Sequence, residues 1–127
     1  MTIRSARVIT ALSLCGIAPS LAAVAPASSG DVALGQTLYE SRCGACHSIQ
    51  SNRVGPKHLG VVGRKAGSIA DYDYSPALKR AKFVWTPAQI NKWLQGPNKL
   101  VPGTKMAFTV SKPEDRAAII AYLTVAK

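Results

Sequence analysis

The stretch Cys43-Gly44-Ala45-Cys46-His47 places two thiols three positions apart and an imidazole directly after the second thiol. The 127-residue chain has one further cysteine, Cys15, which lies in an apolar run near the N-terminus. The C-x-x-C-H pattern is typical of c-type haem attachment, in which each thiol adds to one vinyl group of the same porphyrin. The spacing therefore predicts one covalent haem c on Cys43 and Cys46, with His47 over the iron.

Two other chemistries also use closely spaced cysteines. A thioredoxin-like redox pair expects a βαβ setting, and no strand pattern precedes Cys43. A zinc site needs additional thiol or imidazole ligands, and His58 is the only other histidine of the chain. The motif favours haem attachment over both alternatives.

The N-terminal segment has the pattern of a secretory signal peptide over residues 1–27. Arg4 and Arg7 precede an apolar stretch, and Ala25-Pro26-Ala27 offers an A-x-A cleavage site. The apolar stretch is short for a membrane span. A buried helix of the mature domain and lipid attachment at Cys15 are the alternatives, although Leu14 is not the small residue that a lipid site requires. We predict an exported protein, with one domain over residues 28–127.

The predicted mature chain is strongly basic. Loss of the two N-terminal arginines leaves 14 of the 16 basic residues against 6 acidic ones, a net charge of +8. No acidic residue lies between Glu40 and Asp71 or between Asp73 and Glu114. A field of one sign speeds docking to an acidic partner and weakens with salt. General solubility is the simpler interpretation of the same charge.

Helices joined by long loops are predicted for the rest of the chain, with no strand or repeat pattern. The expected helices run from near Asp31 to Arg42, from Ser75-Pro76 to near Ala81, from Thr86-Pro87 to Gly96-Pro97, and from a Ser111-x-x-Glu114 capping box to about Ala126. Their predicted apolar faces comprise Val32, Leu34, Leu38 and Tyr39, then Ile90, Trp93 and Leu94, then Ile119, Ile120, Tyr122, Leu123 and Val125. Residues 48–73 lack any period, and a loop of that length in a small domain is expected to wrap around something.

A second axial ligand for the iron can be sought by elimination. Met106 is the single methionine of residues 28–127, in the turn-rich loop Pro102-Gly103-Thr104-Lys105-Met106, where a packing role has little support. Thioether sulfur favours ferrous iron and raises the potential. His58 is the competing ligand and would give a bis-imidazole site, but its basic loop predicts an exposed side chain. We expect His47 and Met106 to be the metal ligands.

Together these features resemble the class I c-type cytochromes, in the group that contains mitochondrial cytochrome c and its bacterial relatives. The similarity spans nearly all of residues 30–126. It implies an all-α, cytochrome c-like fold of three to four helices, with long loops wrapped around one covalently bound haem. It also implies that the terminal helices cross where Gly35 and Tyr39 meet Ile119 and Tyr122.

The resemblance further implies roles around the haem. The Pro56 carbonyl would accept a hydrogen bond from His47, Arg64 would lie near a propionate, Tyr74 and Trp85 would hydrogen-bond the propionates, and Thr104 belongs to the distal ligand loop. Trp93 stands where the family has a tyrosine that reaches the methionine sulfur, and Leu78 replaces a polar distal residue. His58-Leu59 reverses the order that is common in the family, which leaves the role of this histidine open.

Two protein ligands leave no open site on the iron, so the resemblance implies electron transfer and not an enzyme. We expect a soluble, monomeric periplasmic carrier of single electrons, with no nucleic-acid partner and at most peripheral membrane contact. Its partners would be acidic patches on a cytochrome bc complex, a terminal oxidase or a periplasmic dehydrogenase, and its docking residues would be Arg42, Lys82, Lys99 and Lys105. The alternatives are a dedicated cytochrome subunit bound to one periplasmic dehydrogenase or oxidase, and a haem enzyme or gas sensor in which Met106 dissociates.

Overall fold

The computed structural model describes residues 28–127, and the predicted signal peptide over residues 1–27 lies outside them. Within residues 28–127 there are five helices and no strand: α1 Ser29–Arg42, α2 Pro76–Arg80, α3 Pro87–Gln95, α4 Pro97–Leu100 and α5 Pro113–Val125. One isolated antiparallel bridge joins Lys65 and Val84. The all-α prediction is confirmed, with one helix more than expected. None of these helices combines the length and the apolar character that a membrane crossing requires.

Local capping signals explain where the first three helices begin. The Ser28 side chain and Asp31 form a reciprocal capping box, so α1 begins two residues before its predicted start near Asp31. The hydroxyls of Ser75 and Thr86 each accept from a backbone N–H three residues further on, and a proline follows each of them. Proline is well suited to the first helical position, because its missing N–H would have no partner there.

One prediction about the later helices is wrong. Lys112, rather than Ser111, is the N-cap of α5, and no side chain caps this helix. Because Pro113 occupies the first helical position, Glu114 is one position too early to close a capping box with Ser111. The Gly96-Pro97 pair ends α3 as predicted, but Pro97 also begins the short helix α4.

Helices α1 and α5 pack directly against each other, as predicted. A Cβ on Gly35 would overlap the Ala118 carbonyl oxygen of α5, so only glycine allows this close approach. Next to it, the Tyr39 ring lies 5.4 Å from the Tyr122 ring, and Ile119 is 1% exposed. The crossing ties the two ends of the domain together and fixes the end of α1, from which the cysteine pair follows.

The apolar faces of α1 and α5 are narrower than predicted. Leu34 is 49% exposed and Val125 is 52% exposed. Helix α1 packs against no helix other than α5 within the described chain, so a residue on its outer side meets solvent. Val125 is the last residue of α5 and extends past the core.

Candidate haem-binding site

A cavity of about 410 Å³ lies between the helices and the long loops. Apolar and aromatic side chains dominate its lining, which includes Tyr39, Val61, Leu78, Trp85, Ile90, Leu94, Ile119 and Leu123. Cys43, Cys46, His47 and Met106 line the same cavity. A small domain that leaves its centre open in this way has the shape to enclose a large apolar group.

The proximal wall consists of residues 43–47 and 55–59, and the first of these segments forms a helical turn after α1. The backbone N–H groups of Cys46 and His47 both donate to the Cys43 carbonyl, at 3.0 and 2.8 Å. This turn brings both thiols and the imidazole to one side of the cavity. The local sequence determines the arrangement, because the three chemical groups belong to five consecutive residues.

The His47 ring is held by the loop that follows it. Its Nδ1 donates to the Pro56 carbonyl oxygen at 2.8 Å, as the resemblance implied. Burial lowers the pKa of His47, while the bond to Pro56 opposes this shift. The ring is therefore neutral, and its Nε2 keeps the lone pair that a metal ligand needs.

Gly55 makes the approach of this loop possible. Its backbone N–H donates to the Cys46 carbonyl at 2.7 Å, and a Cβ on Gly55 would overlap the His47 ring. Only a residue without a side chain fits here, so the Gly55-Pro56 pair brings the carbonyl acceptor to the imidazole.

The two thiols differ in their environment. Cys43 is partly buried, whereas Cys46 is exposed. Burial raises the pKa of Cys43 to about 11, with an opposing effect of Arg42 and a smaller raising effect of Cys46.

Among residues 28–127 no group of three or more His, Cys, Asp or Glu side chains is arranged to hold a metal ion. The zinc interpretation therefore lacks a ligand set, and the thioredoxin interpretation lacks its strands in the same part of the chain.

The prediction that His58 is exposed is wrong. Its ring stacks on the His47 ring, with centroids 4.2 Å apart and planes 19° apart, and its Nδ1 shares a 3.1 Å hydrogen bond with the Tyr39 hydroxyl. The loop that carries His58 is joined to the segment after His47, because the His58 backbone N–H donates to the Ser48 carbonyl at 2.9 Å. Burial lowers the pKa of His58 well below its usual value, and His47 and Arg64 lower it further. His58 thus lies on the same wall as His47, which does not suit it to bind the opposite face of a porphyrin.

The distal wall consists of Trp93 and residues 97–106. Trp93 is 8% exposed, and its indole Nε1 donates to the Met106 sulfur at 3.1 Å. The Asn98 side chain donates to the Met106 carbonyl oxygen at 3.4 Å. Trp93 of α3 and Asn98 of α4 thus hold Met106, the methionine that the sequence analysis proposed as a ligand.

Arg64, Tyr74 and Trp85, which are expected near the propionates, line the cavity, and so does Thr104 of the distal ligand loop. Tyr74 and Trp85 are buried, and Thr104 is partly buried. The Arg64 guanidinium donates to the carbonyl oxygens of Lys57 and Leu59, at 2.9 and 2.8 Å. Arg64 therefore braces the loop of the proximal wall. Leu78 lines the same cavity and is 8% exposed, so it presents an apolar side chain there.

The predicted docking cations fall into two pairs. Arg42 and Lys105 line the cavity but are engaged, Arg42 with Asp115 at 2.9 Å and Lys105 with Asp73 at 3.3 Å. Lys82 and Lys99 are exposed, do not line the cavity, and form no ion pair within residues 28–127.

Sequence reasoning missed two contributors to the site. Asp73 pairs with both Lys79 and Lys105, and its position between two long basic stretches was the available signal. Tyr39 was assigned to helix packing alone, and nothing in the sequence pointed to its bond with His58.

A cavity with a thiol pair and an imidazole on one wall and a hydrogen-bonded thioether on another defines a haem-binding protein of the c type. The family model described as cytochrome c matches residues 32–127. The chain is 48% identical over 101 residues to cytochrome c of Euglena viridis, which covers 77% of this chain and 99% of that protein. It is 46% identical to cytochrome c2 of Agrobacterium tumefaciens, over 74% of this chain and 90% of that protein.

Among solved structures, cytochrome cH from Methylobacterium extorquens superimposes with a TM-score of 0.71 at 47% identity, covering 75% of this chain and 98% of that one. The chain therefore belongs to the cytochrome c family of electron-transfer proteins. One haem c is bound covalently through Cys43 and Cys46, which have the spacing that the family uses.

Proposed function

We propose that this protein is a soluble, periplasmic, monohaem carrier of single electrons between redox proteins. The observation that carries the proposal is the pair of candidate ligands, His47 and Met106. Both line one apolar cavity, and each is held by its own hydrogen bond, from His47 to Pro56 and from Trp93 to Met106. Two fixed protein ligands leave no coordination position for a substrate, so the arrangement favours electron transfer over catalysis.

When bound, haem c supplies an iron that takes up and releases one electron. Cys43 and Cys46 hold it, and His47 and Met106 are the proposed axial ligands. The buried side chains of Leu78, Ile90 and Leu94 exclude water from the cavity. A dry and rigid shell changes little between oxidation states, which suits rapid electron exchange.

Tyr74 and Trp85 are proposed to hydrogen-bond the propionates, and Thr104 to complete the distal loop beside Met106. Their support is that all three line the cavity and that Tyr74 and Trp85 are buried there. Arg64 acts on the same region through the loop that it braces.

Acidic patches on redox proteins are the proposed partners, such as those of a cytochrome bc complex, a terminal oxidase or a periplasmic dehydrogenase. The support is the basic chain together with Arg42 and Lys105 at the cavity. Such encounters are small, weak and sensitive to salt. Periplasmic location rests on the signal-peptide pattern of residues 1–27.

Absorption spectra of the exported protein in both oxidation states test the proposal. We expect spectra of a low-spin haem with histidine and methionine ligands, a pigment that acid acetone does not extract, and no carbon monoxide binding by the reduced protein at neutral pH. Carbon monoxide binding would favour an enzyme or gas sensor instead. Copurification with one partner at high salt would favour a dedicated subunit.

Docking is tested by Lys105→Gln, with Lys112→Gln as a control that removes the same charge from a residue away from the cavity lining. We expect Lys105→Gln to slow electron transfer to an acidic partner at low salt, and the two variants to converge at high salt. Equal slowing by both variants at every salt concentration would contradict steering at this surface.

A further inference from the structure

His58 has no role in the function proposed above, although several hydrogen bonds hold its backbone and its neighbours in place. Its backbone N–H donates to the Ser48 carbonyl at 2.9 Å, and the next residue, Leu59, donates to the Ile49 carbonyl at 2.8 Å. The loop after Gly55 is thus joined to the segment that begins at His47. These two bonds bring His58 beside His47, independently of what its side chain does.

Arg64 fixes the same position from the other side. Its guanidinium donates to the carbonyl oxygens of Lys57 and Leu59, the two neighbours of His58 in sequence. Charge-assisted hydrogen bonds of this kind are stronger than neutral ones. The backbone on both sides of His58 is therefore held, which leaves its side chain little freedom to leave the wall.

The His58 ring is then oriented by two partners. Tyr39, on α1, shares a 3.1 Å hydrogen bond with Nδ1, and the flat face of the ring rests on the His47 imidazole at a centroid distance of 4.2 Å. The ring packing of Tyr39 against Tyr122 connects this contact to the crossing of α1 and α5.

We propose that His58, held by Tyr39, is a positioning residue that sets the rotation of the His47 ring. The inference rests on the proposed function, because it takes His47 to be the proximal ligand. The bond to Pro56 fixes one edge of that ring, and a ring stacked on its face restrains the remaining rotation. Groups that touch a ligand, and not the metal, commonly set the orientation of the ligand in this way.

Packing alone does not account for a histidine here. Burying an imidazole among apolar residues costs free energy unless its polar atoms are paired, and an aliphatic side chain would fill the space without that cost. The Tyr39 hydroxyl offsets the cost at Nδ1, and the near-parallel planes give a defined stacking geometry. An aliphatic side chain would press on the His47 ring but would not select its angle.

The test uses the ferric holoprotein and the proton NMR shifts of its haem methyl groups, which depend on the orientation of the axial imidazole plane. The variants are His58→Leu, which removes the stacked ring, His58→Phe, which keeps a flat ring, and Tyr39→Phe, which removes only the hydroxyl. Tyr122→Phe is the matched control, because Tyr122 packs on the Tyr39 ring and removal of its hydroxyl leaves the Tyr39–His58 hydrogen bond in place.

We expect His58→Leu to change the spread of the methyl shifts most, Tyr39→Phe to change it less, His58→Phe to return it towards the parent, and Tyr122→Phe to leave it unchanged. A parent pattern in His58→Leu, or equal changes in His58→Leu and His58→Phe, would overturn the inference. If His58→Leu yields no holoprotein, Tyr39→Phe decides, and an unchanged pattern there overturns it.

The proposed function and this inference fail in different ways. A parent protein without histidine–methionine absorption and shifts contradicts the proposed function itself. A parent with those signatures, and variants that do not move the methyl shifts, contradicts only the role of His58.

Discussion

The proximal and distal walls of the cavity differ in the sequence separation of the residues whose contacts hold them. His47 is held by Pro56 and His58, which lie nine and eleven positions away. Met106 receives its hydrogen bond from Trp93, 13 positions away, and the neighbouring Lys105 reaches Asp73, 32 positions away. Closing a short loop costs less conformational entropy than closing a long one.

The difference indicates that the proximal wall keeps its shape when the distal wall yields. The distal wall requires α3 and α4 in place before Met106 is oriented, and its outer bonds are exposed. Regions with few buried contacts open at a lower free energy than the core. Each of the following substitutions tests whether the distal wall opens more easily than the proximal wall.

Removal of the distal ligand is expected to have the largest effect. Met106→Ala should leave the haem attached through Cys43 and Cys46 and leave His47 in place, because the proximal wall does not depend on the thioether. The loss of a sulfur ligand should lower the reduction potential by roughly tenths of a volt and open one coordination position. Potentiometry and carbon monoxide binding measure both effects, and an unchanged potential and spectrum would show that Met106 is not the ligand.

A disturbance of the proximal wall is expected to have the next largest effect. Gly55→Ala adds a Cβ that overlaps the His47 ring, so the ring or the Pro56 carbonyl must move. Overpacking of this kind costs about 1–3 kcal/mol, measured as the free energy of unfolding of the holoprotein in denaturant. Gly96→Ala is the matched control, because the three atoms nearest to its Cβ all belong to the flexible Lys99 side chain, the closest at 3.0 Å. Equal stability of the two variants would contradict a tight proximal wall.

The elements that the sequence predicted well are those with local signals. The turn of Cys43–His47, the proline-led starts of α2 and α3, and the glycine at the helix crossing each depend on a few adjacent residues or on one steric requirement. Haem c attachment followed from the C-x-x-C-H motif, and the cytochrome c fold followed from the resemblance of nearly all of residues 30–126 to that family.

What the sequence could not predict depends on contacts between distant segments. His58 stands in a basic loop and has the local pattern of an exposed residue, but the Gly55 turn and the Arg64 side chain fold it inward. The pairing of Lys105 with Asp73 joins two loops that no periodicity relates. The capping box of α5 failed for a different reason, since two valid cap signals competed and Pro113 fixed the register.

A subtler change on the distal wall leaves the ligand in place. Trp93→Phe keeps an aromatic ring against Met106 but removes the Nε1–H that donates to its sulfur. That bond draws electron density from the sulfur and so disfavours ferric iron, and its loss should lower the potential. One hydrogen bond is worth about 1 kcal/mol, which for a single electron is about 40 mV.

Tyr72→Phe is the control for Trp93→Phe, because Tyr72 also lines the cavity but its hydroxyl donates to the Val54 carbonyl, at 2.7 Å. If the reduction potential falls equally in both variants, the cause is altered packing in the cavity and not the loss of the hydrogen bond between Trp93 and Met106.

The smallest effect is expected at the exposed edge of the distal wall. Hydrogen bonds from Lys79 and Lys105, and the charges of both, lower the pKa of Asp73 from its ordinary value of 3.8. Because its pKa is lower in the folded state, the Asp73 carboxylate stabilises the fold above about pH 4, and this stabilisation is lost as the pH falls through the folded value. Asp73→Asn should therefore lower the free energy of unfolding above about pH 4 and leave it unchanged below the folded pKa of Asp73. The loss should be modest, because exposed ion pairs are weak.

The ion pair of Asp73 with Lys105 lies on the distal wall, so its loss can be followed through the binding of Met106 to the iron. Asp73 bonds Lys105, which precedes Met106, whereas Asp71 pairs with Lys57 of the proximal wall at 3.7 Å. Asp73→Asn and Asp71→Asn therefore remove the same charge from opposite walls. At low salt, the absorption band of methionine bound to ferric iron should be lost at a higher pH in Asp73→Asn than in the parent and in Asp71→Asn, because only Asp73→Asn removes a partner of Lys105. If Asp71→Asn and Asp73→Asn weaken this band equally, the two walls do not differ in the way that their contacts indicate.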